Sequence, residues 1–393
     1  MNTRILLVLL LSIAIALFGV GIIAPIIPIF AVDLGATGIS LGLMVAAFSI
    51  SQGAMQPIVG PLSDRHGRKR FLVIGLLIYA LAGFAYTLAT SVDHLILIRL
   101  VHGVGSAMIL PIAMAYMGDL SPRGEEGKYM GILNIAIFAG IGGGPVIGGI
   151  FLDLMGMNSA FYAMTALTAT SLALVLWLLP SRIAGGEQRL EAPKLTTFWR
   201  MLHNSRIVGM LLPRMATMMV MVPMMAFLPI LMTQLIGATG TQVGFVITTR
   251  TLVSATLQVP FGRMADRYNK VTFLLAGSII ISIILYLVPF STTFFQLIGL
   301  CAIIGFGEAM VWPTLAAIAA EEGRYYGQGS VMGVFNMSMS AGVLIGSMVS
   351  GSLMDSIGLS YAFSSISAAL VLSAIVGSIL IKRDSGHHLP RNR

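Results

Sequence analysis

The sequence predicts an all-α membrane protein with twelve transmembrane helices in two pseudo-symmetric six-helix bundles. Three features predict this. Only 10% of the 393 residues are charged and 57% are apolar. A soluble chain carries about 25% charged residues, so most of this outer surface has lipid for solvent. Twelve stretches stay apolar over the roughly 20 residues that one bilayer crossing takes. The chain also matches itself at a constant offset of 202 residues, the mark of a duplicated unit.

The duplication is carried by four separate stretches. Gly60, Asp64 and Arg65 fall on Gly262, Asp266 and Arg267, and Gly103, Gly105, Met108 and Pro111 on Gly305, Gly307, Met310 and Pro313. Gly131 and Asn134 fall on Gly333 and Asn336; Gly140, Gly144, Gly149, Asp153 and Gly156 fall on Gly342, Gly346, Gly351, Asp355 and Gly358. Parallel repeats of membrane helices are a common way to build a transporter.

The first span is 5–32. Its apolar run is too long for a removable signal, and no small-residue cleavage site precedes the next helix. The second, 38–59, leads into a short basic loop from Gly60 to Arg70, where Gly67 allows a turn with positive φ. Spans three to six are 71–90, 95–118, 129–152 and 159–180. A polar connector follows, with Gly185, Gly186 and Pro193. Its segment 196–203, with Phe198, Trp199 and Leu202, reads equally as a short helix on the membrane surface or as irregular loop. The second set of spans is 207–235, 242–261, 271–290, 294–318, 329–353 and 360–381. The domains are therefore a bundle over 1–180, a cytoplasmic linker over 181–206, a bundle over 207–382 and a cytoplasmic tail over 383–393. His387 and His388 in the tail lack the further ligands of a metal site. The single cysteine, Cys301, excludes an internal disulfide.

The net charge of +8 is a topology signal and implies no nucleic-acid partner. All lysines and arginines except Arg99, Arg214 and Arg250 lie at the N-terminus, in the loops after even-numbered spans, or in the tail. The alternate loops carry Asp33, Asp93, Asp153 and Asp355 instead. By the positive-inside rule both termini are cytoplasmic.

The loop Gly60-Pro-Leu-Ser-Asp64-Arg65-His66-Gly67-Arg68-Lys69-Arg70 resembles motif A of the major facilitator superfamily. The second copy keeps Asp266 and Arg267 but has Asn269 for the glycine and Lys270 for the arginine. Arg99 to Gly105 is similar to motif B, with His102 where glutamine is more usual. Gly140 to Gly149, including Gly144, Pro145 and Gly148, resembles motif C, the antiporter signature of proton-coupled drug exporters. Pro25, Pro28 and Asp33-Leu34-Gly35 add to that likeness. The resemblance implies two halves that rock about a central site lined by spans 1, 4, 7 and 10, with Asp64 latching their cytoplasmic ends in the outward-facing state. It implies that the motif C glycines let the fifth span approach a partner and sustain a bend at Pro145. A small-residue packing seam is the plainer reading of the same glycines. It also implies a plasma membrane location (the inner membrane of a bacterium), a monomer, a small amphipathic organic substrate, and protons as the coupling ion.

Within the twelve spans only Arg99, Arg214, Arg250 and Glu308 are charged. Each costs on the order of 3 kcal/mol to insert. Their repeat counterparts are Cys301, Ser12, Phe48 and Ser106. The shared scaffold does not need these charges, so they are candidates for function. Glu308 is the acid expected to carry protons. Burial disfavours a carboxylate and a nearby arginine favours it, so alternation between the two settings would load and release a proton. A permanent structural pair with Arg250 or Arg214 is the alternative. Arg99 and His102 share a helix face, where His102 would relay protons or simply pack. Asp33 sits at the outer mouth. Eight methionines of the seventh span, among them Met210, Met218 and Met232, would suit a surface that accepts many shapes, with lipid-facing packing accounting for some of them.

These residues predict no enzyme. Neither a metal-ligand cluster nor a nucleophile–base constellation is present, and no phosphate-binding loop points to ATP. No cofactor is expected; the proton gradient supplies the energy. The function predicted is drug-like efflux in exchange for protons by alternating access. A lipid, lysolipid or anionic-compound flippase-exporter, or a proton-coupled uptake symporter, would share the fold.

Overall fold

The structure is a computed structural model that describes residues 3–120, 126–180, 195–326 and 328–384. The tail histidines and most of the connector lie outside the described residues. The described chain is helical throughout and follows the twelve predicted spans. The first is α1 (Thr3–Ile23) and α2 (Ile26–Asp33), then α3 (Gly38–His66) and α4 (Arg68–Thr87). The fourth is α5 (Val92–Ala107) and α6 (Leu110–Leu120), followed by α7 (Glu126–Met155) and α8 (Met157–Leu178). The connector holds α9 (Leu195–Leu202), so the helical reading of that segment is the one adopted. The seventh span is α10 (Ser205–Val222), a π-turn Pro223–Phe227 and α11 (Leu228–Leu235). The rest are α12 (Gly240–Arg267), α13 (Lys270–Leu287), α14 (Phe294–Tyr326), α15 (Gln328–Ser356) and α16 (Leu359–Asp384).

Proline explains the interruptions. Pro25 separates α1 from α2. α5 ends at Ala107, four residues before Pro111, whose ring would meet that carbonyl in a continuous helix. The duplicated proline, Pro313, nevertheless sits inside an unbroken α14. Eleven of the spans are long and apolar enough among the described residues to cross a membrane. α12 falls short of that measure because Thr248, Arg250, Ser254 and Gln258 lie along its sequence; polar side chains turned to a protein interior cost the lipid nothing.

The chain forms two compact units, Met1–Gln188 with Met225–Thr248, and Arg189–Met224 with Thr249–Arg393. This partition differs from a cut at the connector. Residues 225–248 group with the first unit because α7 grips the start of α12, as described below.

The repeat is visible in the packing of each unit. A methyl group added at Gly75 of α4 would meet the Gly105 carbonyl oxygen of α5 and the side chain of Met108 just beyond it, each at 2.9 Å. The counterpart Gly277 of α13 would meet the Gly307 carbonyl oxygen at 2.9 Å and Met310 at 3.0 Å on α14. Positive-φ turns recur at the same offset: Gly35 (85°) with Gly237 (65°), and Gly156 (80°) with Gly358 (110°). The basic loop is the exception. Gly67 joins α3 to α4 at φ 95°. Asn269 instead has φ −66° and caps α13 by accepting from the Val271 backbone N–H, so a side-chain cap replaces the glycine turn.

Candidate functional site

Two rare charges meet in the second unit. Gly305 lets α14 approach α12 until an added methyl would overlap the Arg250 carbonyl oxygen. One turn further along α14, Glu308 is 2% exposed, and Arg250 is 5% exposed. Arg250 Nε donates to both carboxylate oxygens, at 3.1 and 3.2 Å. Its Nη2 also donates to Glu308 Oε1, while its Nη1 is buried without a partner. The first unit has the same backbone approach, at Gly103 against the Phe48 carbonyl oxygen. Phe48 and Ser106 stand there in place of the ion pair. Ser106 accepts from Gln52 Nε2 at 2.9 Å, and the Arg99 guanidinium lies 5.0 Å from the Phe48 ring centre. Identical helix packing thus carries neutral groups in one copy and a buried ion pair in the other.

Arg214, on α10 of the second unit, is 9% exposed. Its guanidinium carbon lies 4.6 Å from the Phe335 ring centre and 5.7 Å from that of Trp312. Nη2 donates to the Met339 sulfur at 3.2 Å, and Nε has no partner. Among the described residues no carboxylate pairs with it. Two cation–π contacts contribute about 1–2 kcal/mol each, and removing an ion from water costs several kcal/mol, so the contacts in the structure leave this charge under-compensated. The structure does not bring Arg214 to Glu308 as an ion pair.

Arg99 and His102 belong to a separate cluster in the first unit. His102 is fully buried. Its Nδ1 is 3.2 Å from the Tyr86 hydroxyl, and its ring stands edge-on to Tyr79 at 4.4 Å. Asp33 is exposed and borders a cavity of about 220 Å³ with Ile29, Val32, Ile230, Thr233 and Gln234. The side chains of Asp64, Asp266 and Arg267 lie outside the described residues, while Gly60 and Arg65 are in α3 and Arg68 opens α4. Of the methionines of the seventh span, Met210, Met218, Met219, Met224 and Met232 are buried in protein, so lipid-facing packing explains few of them.

Sequence reasoning missed one polar network. Glu308 is not the only buried acid: Glu322 is fully buried and pairs with Arg206 at 3.1 Å. Glu321 pairs with Arg206 and, at 2.9 Å, with Lys270. α14 runs past the predicted span end and carries these acids on its last turns. The repeat held the signal, since Arg206, Lys270 and Glu321 fall on Arg4, Arg68 and Asp119 at the same offset. Unlike Arg250 and Glu308, these three positions keep their charge sign in both copies, as scaffold elements would, while Glu322 falls on Leu120.

The glycines of α7 form a contact seam. Methyl groups at Gly140, Gly144 and Gly148 would strike the backbone of α1 at Ala14, Gly21 and Ile22, and one at Gly149 would strike the Gly240 carbonyl of α12. Gly244 of α12 in turn abuts the Pro145 carbonyl, and α7 passes through Pro145 as one helix. Asp153 completes the grip by accepting from the backbone N–H groups of Gly240 at 2.7 Å and Thr241 at 2.8 Å. A carboxylate there suits the positive end of a helix. Asp153→Ala is expected to cost about 1–2 kcal/mol and Asp153→Asn nearly as much, because asparagine keeps one acceptor and turns an NH2 donor towards the second N–H; thermal unfolding in lipid nanodiscs checks the order.

The family model described as Major Facilitator Superfamily matches residues 9–234 and 214–392. The chain belongs to the major facilitator superfamily. Among superfamily relatives, an uncharacterized MFS-type transporter of Methanocaldococcus jannaschii is 30% identical, over 93% of this chain and 95% of its own length. The quinolone resistance protein NorA of Staphylococcus aureus is 27% identical, over 88% of this chain and 89% of its own. Solved structures share the superfamily fold. A bacterial homolog of the human lysosomal transporter Spinster, inward-facing and unoccupied, superposes with TM-score 0.80 at 13% identity over 99% of both chains. The human organic anion transporter MFSD10 gives 0.70 at 17% identity over 95% of this chain and 99% of that one. The protein is therefore an integral membrane transporter of twelve helices, and the superfamily is one of transporters rather than enzymes.

Proposed function

We propose that this transporter exports an amphipathic organic compound in exchange for protons, with Glu308 as the proton carrier. The observation that carries the reading is the buried Arg250–Glu308 pair at a position where the first copy has Phe48 and Ser106. A scaffold that folds with neutral groups there has no structural need for an ion pair. In this reading Glu308 alternates between a carboxylate held by Arg250 and a neutral acid released from it. Efflux is supported by the NorA relatives, which are named for quinolone resistance. A membrane potential of 100 mV supplies about 2.3 kcal/mol per charge, enough for roughly 40-fold accumulation per proton where 1.4 kcal/mol is tenfold.

Everted membrane vesicles with an imposed pH gradient provide the test, with ethidium as a cationic probe and 1-naphthoate as an anionic one. Accumulation that collapses on adding an uncoupler is the expected result. Gradient-driven uptake confined to right-side-out vesicles would replace export with symport.

A further inference from the structure

We infer that Arg214 is the charged end of a substrate subsite in the second unit, and that the compound carried is an amphipathic organic anion. This rests on the transporter reading above and names its substrate class. Arg214 is more than nine-tenths buried, yet it faces two aromatic rings and a thioether and pairs with no carboxylate among the described residues. Buried charges are otherwise held by counter-ions. Three buried nitrogens on helices of this unit lack an acceptor among the described residues: Arg214 Nε, Trp312 Nε1 and Arg250 Nη1. Trp312 lies one turn beyond Glu308 on α14, Arg250 bonds to Glu308, and the Arg214 guanidinium carbon lies 5.7 Å from the Trp312 ring centre, so all three side chains lie beside α14. All three are donors. The ligand chemistry that satisfies donors alone is an acceptor-only oxyanion: a carboxylate, sulfonate or phosphate. The apolar partners Phe335 and Met339 fit the carbon body attached to such a head.

The repeat argues against a packing origin for the cluster. Arg214, Trp312, Phe335 and Met339 correspond to Ser12, Leu110, Leu133 and Ile137 in the first copy. That copy builds the same helices from one small hydroxyl and three aliphatic side chains. The charge and the rings were therefore added to a scaffold that does not require them.

The test uses the full chain in nanodiscs and three probes: 1-naphthoate, the neutral 1-naphthalenemethanol, and lysophosphatidate. Wild type is expected to bind 1-naphthoate at least tenfold more tightly than the alcohol. Arg214→Gln is expected to erase that preference while its ligand-free melting temperature stays level or rises, since a buried unpaired charge has been removed. Arg214→Lys should keep part of the preference. Equal binding of naphthoate and alcohol by wild type overturns the inference. So does a lower melting temperature in Arg214→Gln with naphthoate affinity intact, which would make Arg214 a packing residue. Lysophosphatidate that displaces naphthoate identifies a lipid source for the anion; naphthoate binding without such displacement identifies a soluble one. Glu308→Gln separates the two readings. Gradient-driven transport that survives in Glu308→Gln sinks the proton role alone, whereas naphthoate affinity that survives in Arg214→Gln sinks the subsite alone.

Discussion

Glutamine at Glu308 is expected to abolish pH-gradient-driven transport, leaving only downhill exchange of substrate. The side chain keeps its shape but has no acidic proton to exchange, so in the proposed mechanism the gradient has nothing to act on. The same change has a second, purely structural consequence. Arg250 donates to Glu308 through Nε and Nη2, and at 5% exposure it has little water to turn to. Removing one member of a buried pair leaves the other charge uncompensated, at about 3–5 kcal/mol. Glu308→Gln should therefore melt well below wild type. Replacing both partners, as Arg250→Met with Glu308→Gln, should recover most of that loss because the pair's desolvation disappears with it. Transport should stay uncoupled in the double variant. Proteoliposome flux under an imposed gradient, beside melting curves, separates the two effects: coupled flux in either variant would make the pair a structural device.

Valine at Gly144 is expected to separate α1 from α7 and to cost about 3 kcal/mol or more, the upper range for overpacking. The position has no room to give. An added Cβ would sit 2.5 Å from the Cα and carbonyl carbon of Gly21 and 2.6 Å from the Ile22 nitrogen, all of them backbone atoms inside a helix. A flexible side chain could swing away; a helix backbone cannot without moving the whole element. Gly299 of α14 is the control, since a methyl there meets nothing within 4 Å. Gly299→Ala should be neutral or stabilising by up to about 1 kcal/mol, through a less flexible unfolded chain. Thermal melts of the two variants in the same lipid decide the matter. Equal stability would mean that α1 and α7 do not approach as closely as described.

The fold was legible in the sequence because membrane solvation writes it there. Every span must satisfy its own backbone and present apolar side chains to lipid, so composition and length alone locate the helices. α12 shows the limit of that signal. Its polar residues Thr248, Arg250, Ser254 and Gln258 lower its apolar character, so of the twelve stretches it carries the weakest hydropathy signal. The site was legible in part. Asymmetry between the copies marked Arg99, Arg214, Arg250 and Glu308, and the structure joins two of them. It also surrounds His102 with Tyr79, Tyr86 and Phe48, neighbours that spacing along one helix does not reveal. The network of Arg206, Lys270, Glu321 and Glu322 went unseen because a span end inferred from hydropathy stops before the acids, while α14 continues to Tyr326.

The sequence by itself determined the duplicated twelve-span architecture, the family motifs and the short set of charges that depart from the repeat. Those are properties of composition and order along the chain, and lipid imposes them on each helix separately. Only the tertiary structure decided which of those charges is paired. Arg250 finds Glu308 across a gap that Gly305 keeps narrow, and Arg214 finds rings and a sulfur but no acid. Pairing depends on which faces of α10, α12, α14 and α15 meet, and residues 58 or 125 positions apart meet only through packing.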